Sequence, residues 1–145
     1  MMRVFLCGGF HSGWQGTVKY VVSHQPTSFS GLNPCLDVGP QPVFFIDPRD
    51  HGLDAEELYT PWNLYWVRQC EIVFVYIEKT NPACQNMALE VGYAKALGKF
   101  IIVVDEKDNG DPVKRYMGMT RQCADVLFDN LEEGIAYLRV LTRID

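Results

Sequence analysis

The chain has 145 residues, 48% of them hydrophobic and 21% charged, which is the length and composition of one globular domain spanning residues 1–145. Its net charge is −5 and its Lys and Arg residues do not cluster, so nucleic acid is excluded as an expected partner. It has five cysteines without zinc-site spacing, no leader-like start and no apolar run of membrane-spanning length, which predict a cytoplasmic protein that contacts no membrane.

The first predicted elements are a strand, a glycine turn and a helix. Residues 4–7 are a short apolar run that ends at Gly8-Gly9, and residues 14–23 have helical spacing. This order is typical of α/β folds. Residues 25–42 are rich in Pro, Gly, Ser and Asn and predict a long surface loop.

A second strand is predicted at residues 43–46 and is followed by a helix. Asp54 is expected to cap this helix, and Pro61 is expected to kink it or mark its true start. The helix carries the large apolar side chains Leu58, Trp62, Tyr65 and Trp66.

Two continuous apolar runs, residues 72–77 and 100–104, predict strands buried on both faces. The helix between them is predicted over residues 87–97, and Gly98 is expected to end it. Buried strands joined by a helix indicate a parallel sheet.

The rest of the chain completes the alternation of strands and helices. Residues 112–119 predict a short helix, residues 126–128 a fifth strand, and Asn130 the cap of a last helix that extends to Leu141. Right-handed crossovers then give a doubly wound, flavodoxin-like α/β fold with five parallel strands in the order 2-1-3-4-5. In such a sheet a ligand is expected at the carboxyl ends of the first and third strands.

Glu90 is the main candidate for a functional residue. It falls in the middle of an apolar helical stripe that consists of Met87, Val91, Ala94, Leu97 and Gly98. The alternative is a solvent-exposed glutamate that complements the helix dipole. Since a charge on a core-facing stripe is costly unless it opens into a wet pocket, we expect Glu90 to face a binding site.

The glycine turn is the second candidate site, formed by Gly8, Gly9, Phe10, His11, Ser12 and Gly13. Amide N–H groups at the start of a helix bind phosphate well, and glycine lets a ligand approach the backbone closely. The turn lacks the GxGxxG spacing of dinucleotide sites, and glycine turns also occur for tight packing alone. Both interpretations stay open.

Two residues near the second strand also have two interpretations each. Asp47 can bind ribose hydroxyls or simply start a turn, and the turn is favoured. Trp62 can stack on a base or belong to the core. It is retained here as a substrate-binding candidate.

Two longer segments resemble the nucleoside 2-deoxyribosyltransferase family and its deoxynucleotide N-hydrolase relatives. They are WNLYWVRQCEIVFV at residues 62–75 and ALEVGYAKALGK at residues 88–99, supported by the opening VFLCG at residues 4–8. The likeness extends over most of the chain, but residues 25–42 have no clear counterpart. In that family the glutamate that matches Glu90 is the nucleophile.

The resemblance implies a flavodoxin-like fold, no metal or organic cofactor, and a homodimer or larger homo-oligomer. Residues 115–119, including Met117, are expected to project into a neighbouring subunit's site. Some helper residues differ from the family pattern. Phe5 stands where relatives have a tyrosine that orients the nucleophile, Asn63 where they have an aspartate near the leaving base, and residues 84–86, including the substrate-binding candidate Asn86, where they have serine or aspartate.

The function implied by the resemblance is cleavage or transfer of the N-glycosidic bond of a nucleoside or nucleoside 5′-monophosphate through a covalent glycosyl-Glu90 intermediate. The glycine turn would seat the sugar's 5′ end, where His11 and Ser12 favour a phosphate. Glu90 is expected to be ionised at neutral pH, helped by the helix dipole.

Asn63, the second catalytic candidate, can donate only a hydrogen bond to the leaving base, so a good leaving group or another helper such as Asp47, Asp54 or Glu78 would be required. Two alternatives remain. One is a catalytically weak nucleotide-binding or sensor module, which the changed helper residues favour. The other is a different N-glycosidase such as an NAD hydrolase, because such enzymes also place a glutamate at a helix start in this fold.

Overall fold

The computed structural model describes residues 1–24 and 43–143, so the predicted loop at residues 25–42 lies outside the described residues. The strands are β1 (Met2–Gly8), β2 (Val43–Ile46), β3 (Ile72–Ile77), β4 (Phe100–Asp105) and β5 (Val126–Phe128). They form one parallel sheet in the order β2-β1-β3-β4-β5. The predicted fold class and strand order are confirmed.

The sheet is covered by helices on both faces. The helices are α1 (Trp14–His24), α2 (Glu56–Gln69), α3 (Gln85–Ala96), α4 (Pro112–Tyr116), α5 (Gly118–Gln122) and α6 (Leu131–Thr142), with a 3₁₀ turn at Pro48–His51. Apolar side chains of α2 and α3 pack on one face, and those of α1 and α6 on the other. Because successive strand residues alternate between faces, Phe5 and Cys7 of β1 both point toward α2 and α3.

Two predicted helix boundaries are confirmed by their local hydrogen bonds. Gly98 has a φ of 74°, a left-handed conformation that suits glycine. Its amide donates to the Lys95 carbonyl at 3.1 Å, and the Lys99 amide donates to the Ala94 carbonyl at 3.1 Å, which ends α3. At the start of α6, the Asn130 side chain accepts from the Glu133 amide at 2.9 Å.

Other predicted boundaries are wrong. Ala55, not Asp54, precedes α2, and no side chain caps that helix. Pro61 lies inside α2, so it does not mark the start of the helix, and the predicted kink stays a prediction. The carbonyl that Pro61 leaves without its helical partner belongs to Glu57, which is exposed and can bond to water. Leu97 is 42% exposed because α3 ends one residue earlier.

The predicted helix at residues 112–119 is two short helices, α4 and α5, separated by Met117. Asp111 caps α4 by accepting from the Val113 amide at 2.9 Å. No side chain caps α5. The break places Met117 against the core between the two helices.

Replacing Gly134 by alanine is expected to lower the free energy of unfolding by about 1–3 kcal/mol, because overpacking a tight core costs that much. A Cβ at Gly134 would overlap a methyl group of Val104 and lie 3.4 Å from Phe74. Gly92 of α3 is the matched control, since a Cβ there meets no atom within 4 Å. Gly92→Ala should raise the free energy of unfolding by about 0.5–1 kcal/mol, measured by urea denaturation, and equal effects at both sites would contradict the packing argument.

Candidate active site

A cleft of about 540 Å³ lies above the carboxyl ends of β1 and β3. This is where the strand order reverses, and the volume is in the range of small-molecule sites. The turn after β1 forms one wall, the start of α3 a second, and α2 with the loop before it a third. Its polar lining side chains are His11, His51, Asp54, Tyr59, Asn63, Asn81, Gln85, Asn86 and Glu90.

Glu90 lies at the floor of this cleft and is only 9% exposed. It belongs to the buried face of α3 together with Met87 and Val91. The thiol of Cys7 donates to Oε1 over 3.7 Å. Oε2 is buried and has no hydrogen-bond partner among the described residues. One carboxylate oxygen is therefore held by β1 and the other is free to meet a ligand.

Burial raises the pKa of Glu90 to about 7. The hydrogen bond from the Cys7 thiol and the nearby Asn63 side chain favour the charged form and lower the pKa part of the way back. Helix α3 begins at Gln85, so Glu90 lies in its second turn, where the helix dipole has largely faded. Burial therefore opposes the ionisation that the helix dipole was expected to favour.

Cys7 is a functional candidate that the sequence analysis missed. Phe5, the position at which the resemblance implied a tyrosine, is fully buried in the core. Two residues further along the same face of β1, Cys7 makes the contact with Glu90. Contact with the carboxylate and burial raise the pKa of the Cys7 thiol well above its usual value, chiefly through burial. It is therefore a neutral hydrogen-bond donor. The alternation of strand residues was the signal that could have found it.

The glycine turn packs against the start of α1 and also lines the cleft. A Cβ at Gly8 would meet the Tyr76 carbonyl at 2.7 Å and the Trp14 ring at 2.8 Å, so tight packing explains this glycine. The Gly9 carbonyl accepts from Trp14 Nε1 at 2.8 Å and from Gln15 Nε2 at 2.9 Å. These bonds fix the turn against the start of α1.

The structure brings most of the predicted site residues together. Glu90, Asn63, Gly8, Gly9, Phe10, His11 and Asn86 all line the cleft. Ser12, Gly13, Trp62 and Met117 are absent from its lining. Trp62 instead packs edge-on against His51, with ring centroids 4.7 Å apart.

Within residues 115–119, expected to reach a neighbouring subunit's site, Met117 itself points inward. Met117 is 4% exposed and packs in the core of its own subunit, under the junction of α4 and α5. Its neighbours Tyr116 and Met119 are exposed. The physical reason is the break between the two short helices, which turns one apolar side chain inward and leaves the flanking two outside.

The three carboxylates considered as helpers have different surroundings. Asp47 is buried, and it pairs with Lys19 at 2.9 Å and Arg49 at 2.7 Å. Burial raises the pKa of Asp47, but hydrogen bonds from Arg49 and Lys19 outweigh it and hold the pKa below its usual value. Asp47 also accepts from the Arg49 amide, so its role is structural, as favoured from the sequence. Asp54 lines the cleft, and Glu78 is buried behind the turn.

His51, Tyr59 and Asn81 line the cleft without having been singled out in the sequence. The Nδ1 atom of His51 accepts from the Leu53 amide at 2.8 Å, which leaves the proton of the neutral ring on Nε2. Asn81 accepts from the Ala83 amide at 3.1 Å. Asn81 lies in a loop and His51 ends a 3₁₀ turn, where periodicity gives no signal, whereas Tyr59 belongs to α2.

Within the described residues, no group of three or more His, Cys, Asp or Glu side chains has the arrangement of a metal site. The same part of the chain contains no helix that is long and apolar enough to cross a membrane.

A scan of protein-family models and a search of curated protein sequences found no match to the chain. Solved structures do match. A 2-deoxyribosyltransferase from Leishmania mexicana has a TM-score of 0.66 and 20% identity, with 97% of this chain and 98% of that chain covered.

Two further structures share the fold. A 2-deoxyribosyltransferase from Bacillus psychrosaccharolyticus has a TM-score of 0.59 and 14% identity, covering 90% of this chain and 88% of its own. A CMP N-glycosidase from Clostridium botulinum has a TM-score of 0.53 and 17% identity, covering 94% and 97%. These likenesses establish a common fold over nearly the whole of each chain.

Proposed function

We propose that this chain is a single-domain enzyme that cleaves or transfers the N-glycosidic bond of a nucleoside or nucleotide. The observation that carries the proposal is the buried carboxylate of Glu90, which has one unpartnered oxygen at the floor of the cleft. The sequence around it resembles the nucleoside 2-deoxyribosyltransferase family. Proteins of the same fold are described as a 2-deoxyribosyltransferase and a CMP N-glycosidase, which supports this reaction class.

In the proposed mechanism, Oε2 of Glu90 attacks the anomeric carbon as the bond to the base breaks. The bonding electrons leave with the base, and a covalent glycosyl ester forms at Glu90. Water then displaces Glu90 to give the free sugar, or a second base displaces it to give a new nucleoside. Two successive displacements retain the configuration at the anomeric carbon.

The neighbouring residues have distinct parts in this mechanism. The Cys7 thiol holds Oε1, and Asn63 stabilises the charged form of the carboxylate. Asp54 is the proposed proton donor to the leaving base, because of the three carboxylates considered it is the one that lines the cleft. The exposed apolar side chains of Tyr116 and Met119 support the proposed homo-oligomer.

The proposed function is tested by incubating the protein with nucleosides, nucleoside monophosphates and NAD, each with and without a second free base. We expect chromatography to show release of the base, or a new nucleoside when an acceptor base is present. Asp54→Asn should slow release of ordinary purines by about 10²-fold, and release from 7-methylguanine nucleosides much less, because that base leaves without protonation.

Absence of any released base across the panel would contradict the enzymatic proposal. Binding without turnover would favour the sensor module, which the changed helper positions Phe5 and Asn63 also favour. Release of nicotinamide alone would favour the NAD hydrolase.

A further inference from the structure

His51 is a cleft residue that the mechanism above does not use. It ends the 3₁₀ turn at Pro48–His51, which follows β2 directly. Because β2 lies beside β1 in the parallel sheet, the carboxyl end of β2 reaches the same edge of the sheet as the glycine turn. His51 and Glu90 therefore border one cleft from two different elements.

The imidazole ring of His51 is held in one orientation. Its Nδ1 atom accepts from the Leu53 amide at 2.8 Å. Gly52, between these two residues, has a φ of 65°, a left-handed conformation that suits glycine and turns the chain back toward the ring. On the α2 side, Trp62 packs edge-on against the ring at an interplanar angle of 70°. These contacts fix the direction in which the ring presents its other nitrogen.

The turn that carries His51 is anchored by a buried carboxylate. Asp47 begins the turn, and its side chain accepts from the Arg49 amide at 3.0 Å. The same carboxylate pairs with the Arg49 guanidinium at 2.7 Å and with Lys19 of α1 at 2.9 Å. The structural role of Asp47 is therefore to tie the turn to α1, which makes His51 part of a rigid wall of the cleft.

The free nitrogen of the ring is a hydrogen-bond donor. Since Nδ1 of His51 accepts a hydrogen bond, the proton of the neutral ring is on Nε2. Among the described residues Nε2 has no hydrogen-bond partner. A fixed and neutral N–H donor at a binding site is suited to an acceptor on which negative charge develops during a reaction.

The neighbouring polar groups do not duplicate this donor. The Oδ1 atom of Asn63 is buried and has no partner among the described residues, so that oxygen can only accept. The Tyr59 hydroxyl also lines the cleft, but a hydroxyl proton rotates to suit its partner. Asp54 is the proposed source of the proton that the base finally takes. The wall thus combines a proton donor with a separate, fixed hydrogen-bond donor at His51.

We propose that His51 donates a hydrogen bond from Nε2 to the leaving base. The acceptor is a ring nitrogen of a purine or the 2-carbonyl oxygen of a pyrimidine. As the glycosidic bond breaks, its electrons move onto the base, and the hydrogen bond stabilises the charge that they bring; the proton itself stays on His51. This inference rests on the proposed function, because it assigns a further catalytic residue to the same reaction.

The first test replaces the donor and keeps the packing. His51→Phe retains a ring against Trp62 but has no N–H group, and His51→Gln restores a donor on a flexible side chain. For 2′-deoxyuridine or 2′-deoxyadenosine we expect single-turnover base release to fall about 10²-fold in His51→Phe, as for loss of one preorganised donor, and to recover in part in His51→Gln. The control is His24→Leu at the exposed end of α1, which should not alter the rate.

The dependence on the leaving group separates this role from a structural one. The 5-fluoro and 5-nitro derivatives of 2′-deoxyuridine, and the 6-chloropurine analogue of 2′-deoxyadenosine, have bases that bear negative charge better by themselves. The loss in His51→Phe should therefore shrink along each series, because the hydrogen bond acts on charge that appears only in the transition state. An equal loss for every substrate, as a displaced turn would give, overturns the inference and leaves the proposed function standing.

Binding tests the same contact without turnover. On a Glu90→Gln background, calorimetry compares 2′-deoxyadenosine with its 3-deaza and 7-deaza analogues, and 2′-deoxyuridine with its 2-thio analogue, all of which lose or weaken one acceptor. At least one replacement should weaken binding about 5-fold when His51 is present and have no effect in His51→Phe. Such a result supports the inference even if the wild-type protein releases no base, which would contradict only the proposed reaction. No difference between the two backgrounds for any analogue overturns the inference.

Discussion

Replacing Glu90 by glutamine is expected to reduce base release by at least about 10³-fold, because an amide cannot form the glycosyl ester of the proposed mechanism. Glutamine keeps the size of the side chain and can still accept a hydrogen bond from Cys7. Binding of the ligand should therefore change much less than turnover. The measurement is single-turnover release of base, followed by chromatography, alongside calorimetric binding.

The covalent intermediate can be trapped directly. A 2-fluoro-2-deoxyarabinosyl nucleoside should leave its sugar on the peptide that contains Glu90, because the fluorine destabilises the oxocarbenium-like transition state and slows hydrolysis of the ester. Peptide mass spectrometry detects the adduct. The control is Glu132→Gln, an exposed glutamate in the first turn of α6, which should still form it.

The stereochemical outcome separates nucleophile from general base. Inversion at the anomeric carbon without an adduct would reassign Glu90 to activation of water. Unchanged activity in Glu90→Ala would reject both roles and point to a site elsewhere or to the binding module.

For a substrate whose base leaves without protonation, activity is expected to rise with pH and to level off above a midpoint near 7. The reason is that burial raises the pKa of Glu90 to about 7, and only the ionised carboxylate can attack carbon. Cys7→Ala removes a hydrogen bond that favours the charged form and should move the midpoint of kcat/KM to higher pH. Cys123→Ser, a change at a half-buried cysteine outside the cleft lining, should leave the midpoint in place. A profile flat from pH 5 to 9 would contradict the assignment.

Stability should depend on pH in the opposite direction. The folded pKa of about 7 lies above the usual 4.5, so between these values the folded protein holds a proton that the unfolded chain has lost. The contribution of Glu90 is fully present below pH 4.5 and is lost as the pH rises through 7. It amounts to about 3 kcal/mol from that difference in pKa.

The matched comparison for stability is Glu90→Gln, whose side chain does not titrate. The free energy of unfolding of the variant minus that of wild type, measured by urea denaturation, should be up to about 3 kcal/mol larger at pH 8.5 than at pH 5. A difference that does not change with pH would show that Glu90 keeps an ordinary pKa.

The sequence by itself predicted the parallel sheet and the inward side of α3, and it reduced the strand orders to a few. Continuous apolar runs at β3 and β4 can be buried only in a parallel sheet with helices on both faces, and right-handed crossovers leave few strand orders. Gly98 and Asn130 marked helix ends because their backbone and side-chain chemistry acts locally. Glu90 was found because helical spacing is also local, and it places every third or fourth residue on one face.

The tertiary structure alone decided what surrounds Glu90. Cys7 and Glu90 are 83 positions apart in sequence, and they meet only because β1 pairs with β3 while α3 packs over both. The local sequence also predicted that Asp54 caps a helix, but in the structure Asp54 lines the cleft and no side chain caps α2. The raised pKa of Glu90 has the same origin, since burial depends on every element that converges at a point and no single segment of sequence contains it.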